Sequence, residues 1–450
     1  MKSKLGAENV HRLMLKLSAP AVVAMVASGA YTTLSTIMIS RGISMEAVGA
    51  VGIVFALQTL FHGFAQLVSI GAASAISRSL GKDNKDYASL VATNSYLLTT
   101  LISALLILGV TLFTEPLLHF FGADEALLEP ALEYLTILKW TIPLNAIILL
   151  TSAIFRAEGN LKRSAIVVVI DAVLNIAFDY LFIFPLSLGL RGAGFATLAS
   201  QTIASIFGLS FIWRQKSIIS FHLKDLLPNF KVLWSVIKVG FSAFARNAST
   251  TAFSLVINNT LRSIGGTQSL IAFGAANRIV SLFFLPIMGV NQGFQPIASF
   301  NYGANSPDRV RQSIKYALIY TSIIGVIASL VGLLIPKQII GLLTSDQEAI
   351  DLAATILRLQ LILFCTVGFQ TVASTLYQAL GRGGPALFFS IFKQLLLMIP
   401  LILWLPHLGG LDTLGVWLSF PIAEGVAFLI VLFVLKRQFS LLKKAPIPTG

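Results

Sequence analysis

Two aspartates and an asparagine recur at four-residue intervals in an otherwise apolar stretch of the chain, as Asp171, Asn175 and Asp179. Residues four apart on an α-helix lie about 40° apart around its axis, so the three side chains form one polar stripe. Acidic side chains within an apolar, membrane-spanning helix are costly and usually functional. The stripe therefore predicts a binding site for a proton or a monovalent cation. The alternative is a hydrogen-bonded packing network between helices.

A threonine on the next apolar stretch is expected at the same depth as this stripe. At a rise of 1.5 Å per residue, Asp179 lies roughly 20 Å along its helix, and Thr197 lies about 12 Å down a helix that returns from the other side. Asn175, Asp179 and Thr197 are thus predicted to converge on a monovalent metal cation such as Na⁺. The same geometry also allows Asp179 alone to take a proton.

Composition places these residues in a membrane. Of the 450 residues, 56% are hydrophobic and only 11% are charged, whereas soluble domains carry about 25% charged residues. This excludes a soluble enzyme, a nucleic-acid-binding protein and a disordered tail. No P-loop, paired-histidine zinc pattern or Ser/His/Asp set is present, so neither an enzymatic activity nor a cofactor is expected. The single cysteine, Cys365, has no partner for an intrachain disulfide.

Twelve apolar stretches are long enough to cross a bilayer core of roughly 30 Å as helices. With the N-terminus inside, 23 of the 32 Lys and Arg residues fall on the cytoplasmic side and four outside. Basic residues concentrate in cytoplasmic loops, so both termini are predicted to be cytoplasmic in a multi-pass protein of the cell (inner) membrane. The predicted spans are 17–40, 47–76, 88–114, 128–154, 164–187, 192–213, 234–260, 268–296, 312–335, 347–377, 384–406 and 413–435.

An internal repeat divides the spans six and six. At an offset of 222, the segment after Leu80 matches the segment after Tyr302, and Gly159 matches Gly381. The prediction is an all-α membrane protein with two six-helix lobes related by a pseudo-two-fold axis along the membrane normal, as in parallel-repeat transporters. The N-lobe covers 1–213, a cytoplasmic linker 214–233 and the C-lobe 234–450. Only the first copy carries the aspartates, because Asp171 corresponds to Lys393.

A third acid, Glu424, lies in the last predicted span. It is expected either to attract a cationic substrate or to pair with Arg246, Arg278 or Lys393, which also fall within spans. Glu424, Arg246, Arg278 and Gln292 are predicted to line the substrate cavity.

The sequence resembles the multidrug and toxic compound extrusion (MATE) family of antiporters, in its bacterial and archaeal branch, across essentially its whole length. The resemblance implies two six-helix lobes forming a V, and export of amphipathic, often cationic compounds in exchange for Na⁺ or H⁺. It is carried by segments in the family's order, which are 155–160, 175–184, 192–197, 273–279, 293–304 and 378–381.

The resemblance also implies a cation site in the N-lobe. In that branch an Asp of the first helix, an Asn and an Asp of the fifth and a Thr of the sixth form it, and Asn175, Asp179 and Thr197 match the last three. The first-helix Asp is missing, and Ser35 and Thr36 offer hydroxyls in its place. This departure makes Na⁺ coupling harder to support than H⁺ coupling through Asp179.

Two functions follow as alternatives. The first is a cation-coupled antiporter, using H⁺ or Na⁺, that exports amphipathic and mostly cationic drugs or toxic compounds by alternating access. The second is a flippase for lipid-linked saccharide or another anionic lipid, which would suit a ring of basic residues. Small-molecule substrates and membrane lipid are the expected partners, nucleic acid is not, and the protein is expected to be a monomer.

Overall fold

The computed structural model describes residues 4–213, 218, 219, 225, 227–343 and 346–444, and within these ranges the chain is helical without any strand. Parts of the predicted linker, 214–217, 220–224 and 226, lie outside the described residues, so the lobe boundaries stay predictions. The α-helices are α1 (Lys4–Ala7), α2 (Val10–Gly42), α3 (Met45–Gly81), α4 (Lys85–Leu112), α5 (Thr114–Phe120), α6 (Glu125–Leu138), α7 (Thr141–Ala157), α8 (Leu161–Ile183), α9 (Gly189–Trp213), α10 (Phe230–Ile264), α11 (Gly266–Gly303), α12 (Pro307–Leu334), α13 (Pro336–Ile340), α14 (Gln347–Leu361), α15 (Val367–Ala379), α16 (Gly383–Ile391), α17 (Ile399–Trp404) and α18 (Asp412–Lys444).

These helices form the twelve predicted spans. Within the described residues, ten helical segments are long and apolar enough to cross a membrane. An eleventh span consists of α6 and α7, which are bent by 50° at their junction. The twelfth is α10, whose 35 residues include the basic residues Lys231, Lys238, Arg246 and Arg262 and are therefore less apolar. The prediction of an all-α membrane protein with twelve spans is confirmed.

The repeat extends to local details of the backbone. A short helix follows the third span of each half, and these two helices, α5 and α13, begin at Thr114 and Pro336, at the same offset as the sequence repeat. Gly159 and Gly381 follow the ends of α7 and α15 with φ of 81° and 73°. This conformation costs glycine little, because it has no Cβ. The two lobes are hence two copies of one helical arrangement, α2–α9 and α10–α18.

The lobes share a core at one end of the bundle and have separate cores at the other. We call the end that holds α1, the α7–α8 junction and the last turns of α18 the terminal end, and the opposite one the far end. At the terminal end one apolar cluster joins Leu5 and Leu13 to Phe294 and Leu442, from both lobes. At the far end, the cluster around Leu118 and the cluster around Ile340 each belong to a single lobe. This arrangement is a V that opens at the far end.

Close backbone contacts hold the terminal ends together. The lobe interface consists mainly of α3 against α10 and α2 against α11. A Cβ added at Gly240 would overlap the carbonyl oxygen of Leu67, and one at Gly71 would overlap that of Val236. The two glycines therefore allow α3 and α10 to meet backbone to backbone.

We expect Gly240→Ala to lower the thermal stability of the purified protein clearly. The new methyl group must push α3 and α10 apart, and overpacking of this kind costs about 1–3 kcal/mol. The measurement is the melting temperature by fluorescence-detected size-exclusion chromatography. Gly109→Ala is the control, since a Cβ there has open space within 4 Å. Equal melting temperatures for the two variants would contradict the close packing.

Candidate functional site

The polar stripe lies on α8, which packs against α2 and α9. Asn160 caps the start of this helix by accepting a hydrogen bond from the backbone N–H of Arg163. Asn175 and Asp179 are buried, with 3% and 0% of their surface exposed, and Asp171 is half-buried. The stripe consequently faces protein rather than lipid.

Asn175 and Thr197 are in direct contact, as their spacing predicts. The Asn175 side-chain N–H donates to Thr197 Oγ1 at 3.2 Å and to Ser200 Oγ at 3.4 Å. The hydroxyls of Thr197 and Ser200 in turn donate to backbone carbonyls of their own helix. The donors of this network are thus used within the protein, and the oxygen of the Asn175 amide accepts no hydrogen bond from the described residues.

Buried acceptor oxygens without a donor accumulate along the stripe. Five such oxygens belong to α8 and α9, and none has a hydrogen-bond partner among the described residues. They are Asp171 Oδ1, Asn175 Oδ1, both carboxylate oxygens of Asp179 and Gln201 Oε1. The described part of the chain also gives neither aspartate an ion pair. Because an unsatisfied buried acceptor is costly, a row of them suits a ligand that supplies positive charge.

Side chains with hydroxyl groups, from two other helices, lie near Asp179. The hydroxyl of Ser35, on α2, interacts with the carboxylate without reaching hydrogen-bond geometry. Tyr134, on α6, lies close enough to Asp179 for the two side chains to interact electrostatically. Tyr31, on α2, interacts in the same way with both Asp171 and Asp179. Thr36 lies beside Ser35 and donates to the carbonyl of Thr32 at 2.9 Å.

A cavity of about 320 Å³ opens beside this cluster, in the far half of the N-lobe. Ser35, Asn175, Thr197 and Gln201 contribute polar groups to its wall, and Asp179 lies behind them. Four aromatic side chains also line it, namely Tyr31, Phe55, Phe61 and Tyr134. The cavity therefore offers aromatic faces together with hydroxyl and amide groups, next to a buried acid.

A hydrogen-bonded chain links the cavity to the other lobe. The ring of His62, which lines the cavity, contacts Asn145 at 3.3 Å and Gln66 at 2.9 Å. Gln66 Oε1 accepts hydrogen bonds from Arg246 at 3.0 Å and Asn247 at 3.2 Å. Arg246 is accordingly held at the α3–α10 contact.

The four residues predicted for the substrate cavity lie on three helices and have different surroundings. Glu424 forms an ion pair with Lys393 at 2.7 Å. Arg278 is exposed on α11, and Gln292 lies at the α2–α11 contact, where it donates to Met25 Sδ at 3.2 Å. Neither these three nor Arg246 belongs to the described lining of the N-lobe cavity. Their part in binding a substrate stays a prediction.

Sequence reasoning missed several residues of the site. Ser200 and Gln201 follow Thr197 by three and four residues, so helical periodicity could have placed them on its face. Tyr31 precedes Ser35 by four residues and carries the same signal. Tyr134 carried no such signal, because its position depends on how α6 packs against α9.

The chain is similar to known multidrug exporters over almost its whole length. The MatE family model matches residues 20–181 and again residues 243–404, so its two matches fall one in each copy of the internal repeat. The multidrug export protein MepA of Staphylococcus aureus strain MSSA476 is 26% identical over 436 residues, which is 96% of this chain and 95% of MepA. MepA of Staphylococcus haemolyticus strain JCSC1435 is 26% identical over 428 residues, covering 95% and 93% of the two chains.

Solved structures share the fold. An outward-facing multidrug resistance MATE transporter has a TM-score of 0.94 at 24% identity and covers 99% of both chains. A transporter of the MOP superfamily from Pyrococcus furiosus, whose binding pocket of reverse polarity suggests a different function, has a TM-score of 0.92 at 24% identity, again over 99% of both chains. The family model and the MepA relatives are those of multidrug exporters, which confirms the prediction that the protein is not an enzyme. Because the family model matches well over half of its length, the chain belongs to the MatE family.

Proposed function

We propose that the protein is a cation-coupled antiporter that exports amphipathic, mainly cationic compounds by alternating access. The observation that carries the proposal is the row of buried acceptor oxygens on α8 and α9, without a basic partner among the described residues. A proton or Na⁺ that enters the site satisfies these oxygens, and its inward movement is exchanged for the outward movement of the substrate. The multidrug export function of the MepA relatives supports the class of cargo.

The cation and the exported compound act on the same helices. Asn175 and Thr197 contact each other across α8 and α9, and both line the cavity. A cation beside Asp179 draws the oxygens of α2, α8 and α9 together and so changes the cavity wall. A ligand drives such a change only through different affinities for the two states. The aromatic wall suits organic cations, which favour the faces of aromatic rings.

We place the terminal end in the cytoplasm and the open far end outside. The excess of Lys and Arg in the loops at the terminal end supports this orientation, with both termini cytoplasmic. The V then opens outward in the cell membrane, as a releasing state requires. We further propose that the protein works as a monomer, because the N-lobe cavity is complete within one chain.

The flippase alternative is not favoured, because none of the three basic residues that it requires lines the described cavity. Arg246 donates to Gln66, Lys393 pairs with Glu424 and Arg278 is exposed on α11. The cavity wall carries four aromatic rings and one histidine instead.

The proposal is tested by efflux of a fluorescent cation such as ethidium from proteoliposomes under separately imposed gradients. We expect one gradient, of H⁺ or of Na⁺, to accelerate efflux by about 5–150-fold, the factor that corresponds to a coupling free energy of about 1–3 kcal/mol. Liposomes with an equal K⁺ gradient are the control for membrane potential and ionic strength. Efflux that responds to neither H⁺ nor Na⁺ would contradict the coupled mechanism.

A further inference from the structure

The C-lobe contains an ion pair in which every oxygen of a carboxylate has a partner. Lys393 donates to Glu424 Oε2 at 2.7 Å. The Thr366 hydroxyl lies 3.2 Å from Glu424 Oε1 and shares its proton between this oxygen and the Leu363 carbonyl, which is 2.7 Å away. The side chains of Lys393 and Glu424 are only 20% and 11% exposed. Glu424 thus differs from Asp179, whose two buried oxygens have no partner among the described residues.

The repeat places this pair where the N-lobe has unpartnered acceptors. Helices α8 and α16 begin at Leu161 and Gly383, which reproduces the offset of the sequence repeat, so Lys393 corresponds to Asp171. Helices α9 and α18 begin at Gly189 and Asp412, which lengthens the offset by a single position, so Glu424 corresponds to Gln201. Asp171 and Gln201 each carry a buried oxygen without a partner among the described residues.

A π-helical segment, Phe392–Met398, carries the lysine. A π turn contains one residue more than an α turn, which agrees with the longer offset between α9 and α18. Pro400 follows the segment and has no N–H to donate to the carbonyl four residues earlier, which interrupts the α-helical pattern. The backbone at Lys393 is therefore π-helical, whereas the corresponding backbone of α8 is α-helical.

We propose that Glu424 is a latent cation-binding carboxylate, occupied permanently by the tethered ammonium of Lys393. The ammonium group supplies one positive charge and donates a hydrogen bond to the carboxylate. It therefore takes the place that a mobile cation takes beside an acid without an ion-pair partner. Cation exchange is then confined to the N-lobe, and Lys393 limits each molecule to one exchanging site. This inference rests on the proposed function for its role in transport, but not for the binding event itself.

The test creates the latent site in a protein whose N-lobe site has been disabled. In an Asp179→Asn background, Lys393→Met removes the tethered cation and leaves Glu424 with Thr366 alone. Purified protein is assayed for ²²Na⁺ binding at equilibrium and, separately, for proton uptake on lowering the pH. We expect Asp179→Asn to bind no cation at this site and Asp179→Asn/Lys393→Met to gain one Na⁺ or one proton per chain. Adding Glu424→Gln as a third change abolishes the gain.

Two results would overturn the inference. The first is a variant with Lys393→Met that gains no cation, and the second is a gain that persists after Glu424→Gln. A failure of the proposed function is distinguishable, because it shows as a wild-type protein that exchanges no cation while Lys393→Met still gains one. If Lys393→Met does not fold, Lys393→Ala is purified with about 100 mM methylammonium, which supplies in solution the ammonium group that this variant lacks. Recovery of folded protein that needs Glu424 supports the inference, and the absence of recovery argues against it.

Discussion

Asp179→Asn is expected to reduce gradient-driven efflux by about 5–150-fold, the factor that corresponds to a coupling free energy of about 1–3 kcal/mol. Asparagine has nearly the same shape as aspartate but cannot take a proton or balance the charge of a cation. The exported compound still meets an intact cavity wall, because Asp179 lies behind it. Equilibrium binding of the fluorescent cation should therefore remain, while efflux no longer depends on the gradient of H⁺ or Na⁺.

The same substitution should not destabilise the protein. It removes a fully buried carboxylate whose oxygens have no partner among the described residues, so the melting temperature is expected to stay equal or to rise. The wild-type protein should melt at a higher temperature when the coupling ion is added, because an ion at 100 times its dissociation constant stabilises the folded state by about 2.7 kcal/mol. Asp179→Asn should abolish this increase. Asp86→Asn, at an exposed position of α4, is the matched control. Unchanged gradient dependence in Asp179→Asn would contradict the role of this acid.

Hydropathy was sufficient to predict the spans but not their interruptions. The fourth span is broken between Leu138 and Thr141, and Pro143 explains why, because it cannot donate to the carbonyl of Lys139. That break was readable from the sequence. The break between α14 and α15 has no proline, and its position depends on packing against α12, so the sequence carried no comparable signal.

Periodicity was sufficient to predict the stripe on α8 but not what surrounds it. The four-residue spacing placed Asp171, Asn175 and Asp179 on one face, and the structure finds that face buried or half-buried. Which groups oppose it depends on contacts between distant segments. For the same reason the sequence left Glu424 with three possible basic partners, and only the packing of α18 beside the π-helical segment selects Lys393.

The terminal end is held closed by an arginine that crosses between the lobes. Arg78, at the end of α3, donates to the carbonyl of Ala379 at 3.2 Å and to the Ser74 hydroxyl, which itself donates to the carbonyl of Gln378. These carbonyls end α15, where the helix dipole is negative and no intrahelical donor remains. A Cβ at Gly381 would lie 2.7 Å from the guanidinium carbon, so the arginine is tightly enclosed.

Arg78→Met is consequently expected to shift the protein toward a state that is open at the terminal end. A hydrogen bond from a charged group to a carbonyl contributes about 1.5–3 kcal/mol, which corresponds to a change of about 10–100-fold in the ratio of the two states. The measurement is the distance between spin labels on Lys85→Cys and Gln312→Cys, at exposed positions of the two lobes, with Cys365→Ala removing the native thiol. Arg12→Met, at an exposed arginine of α2, is the control. An unchanged distance distribution in Arg78→Met would show that the terminal end stays closed without this arginine.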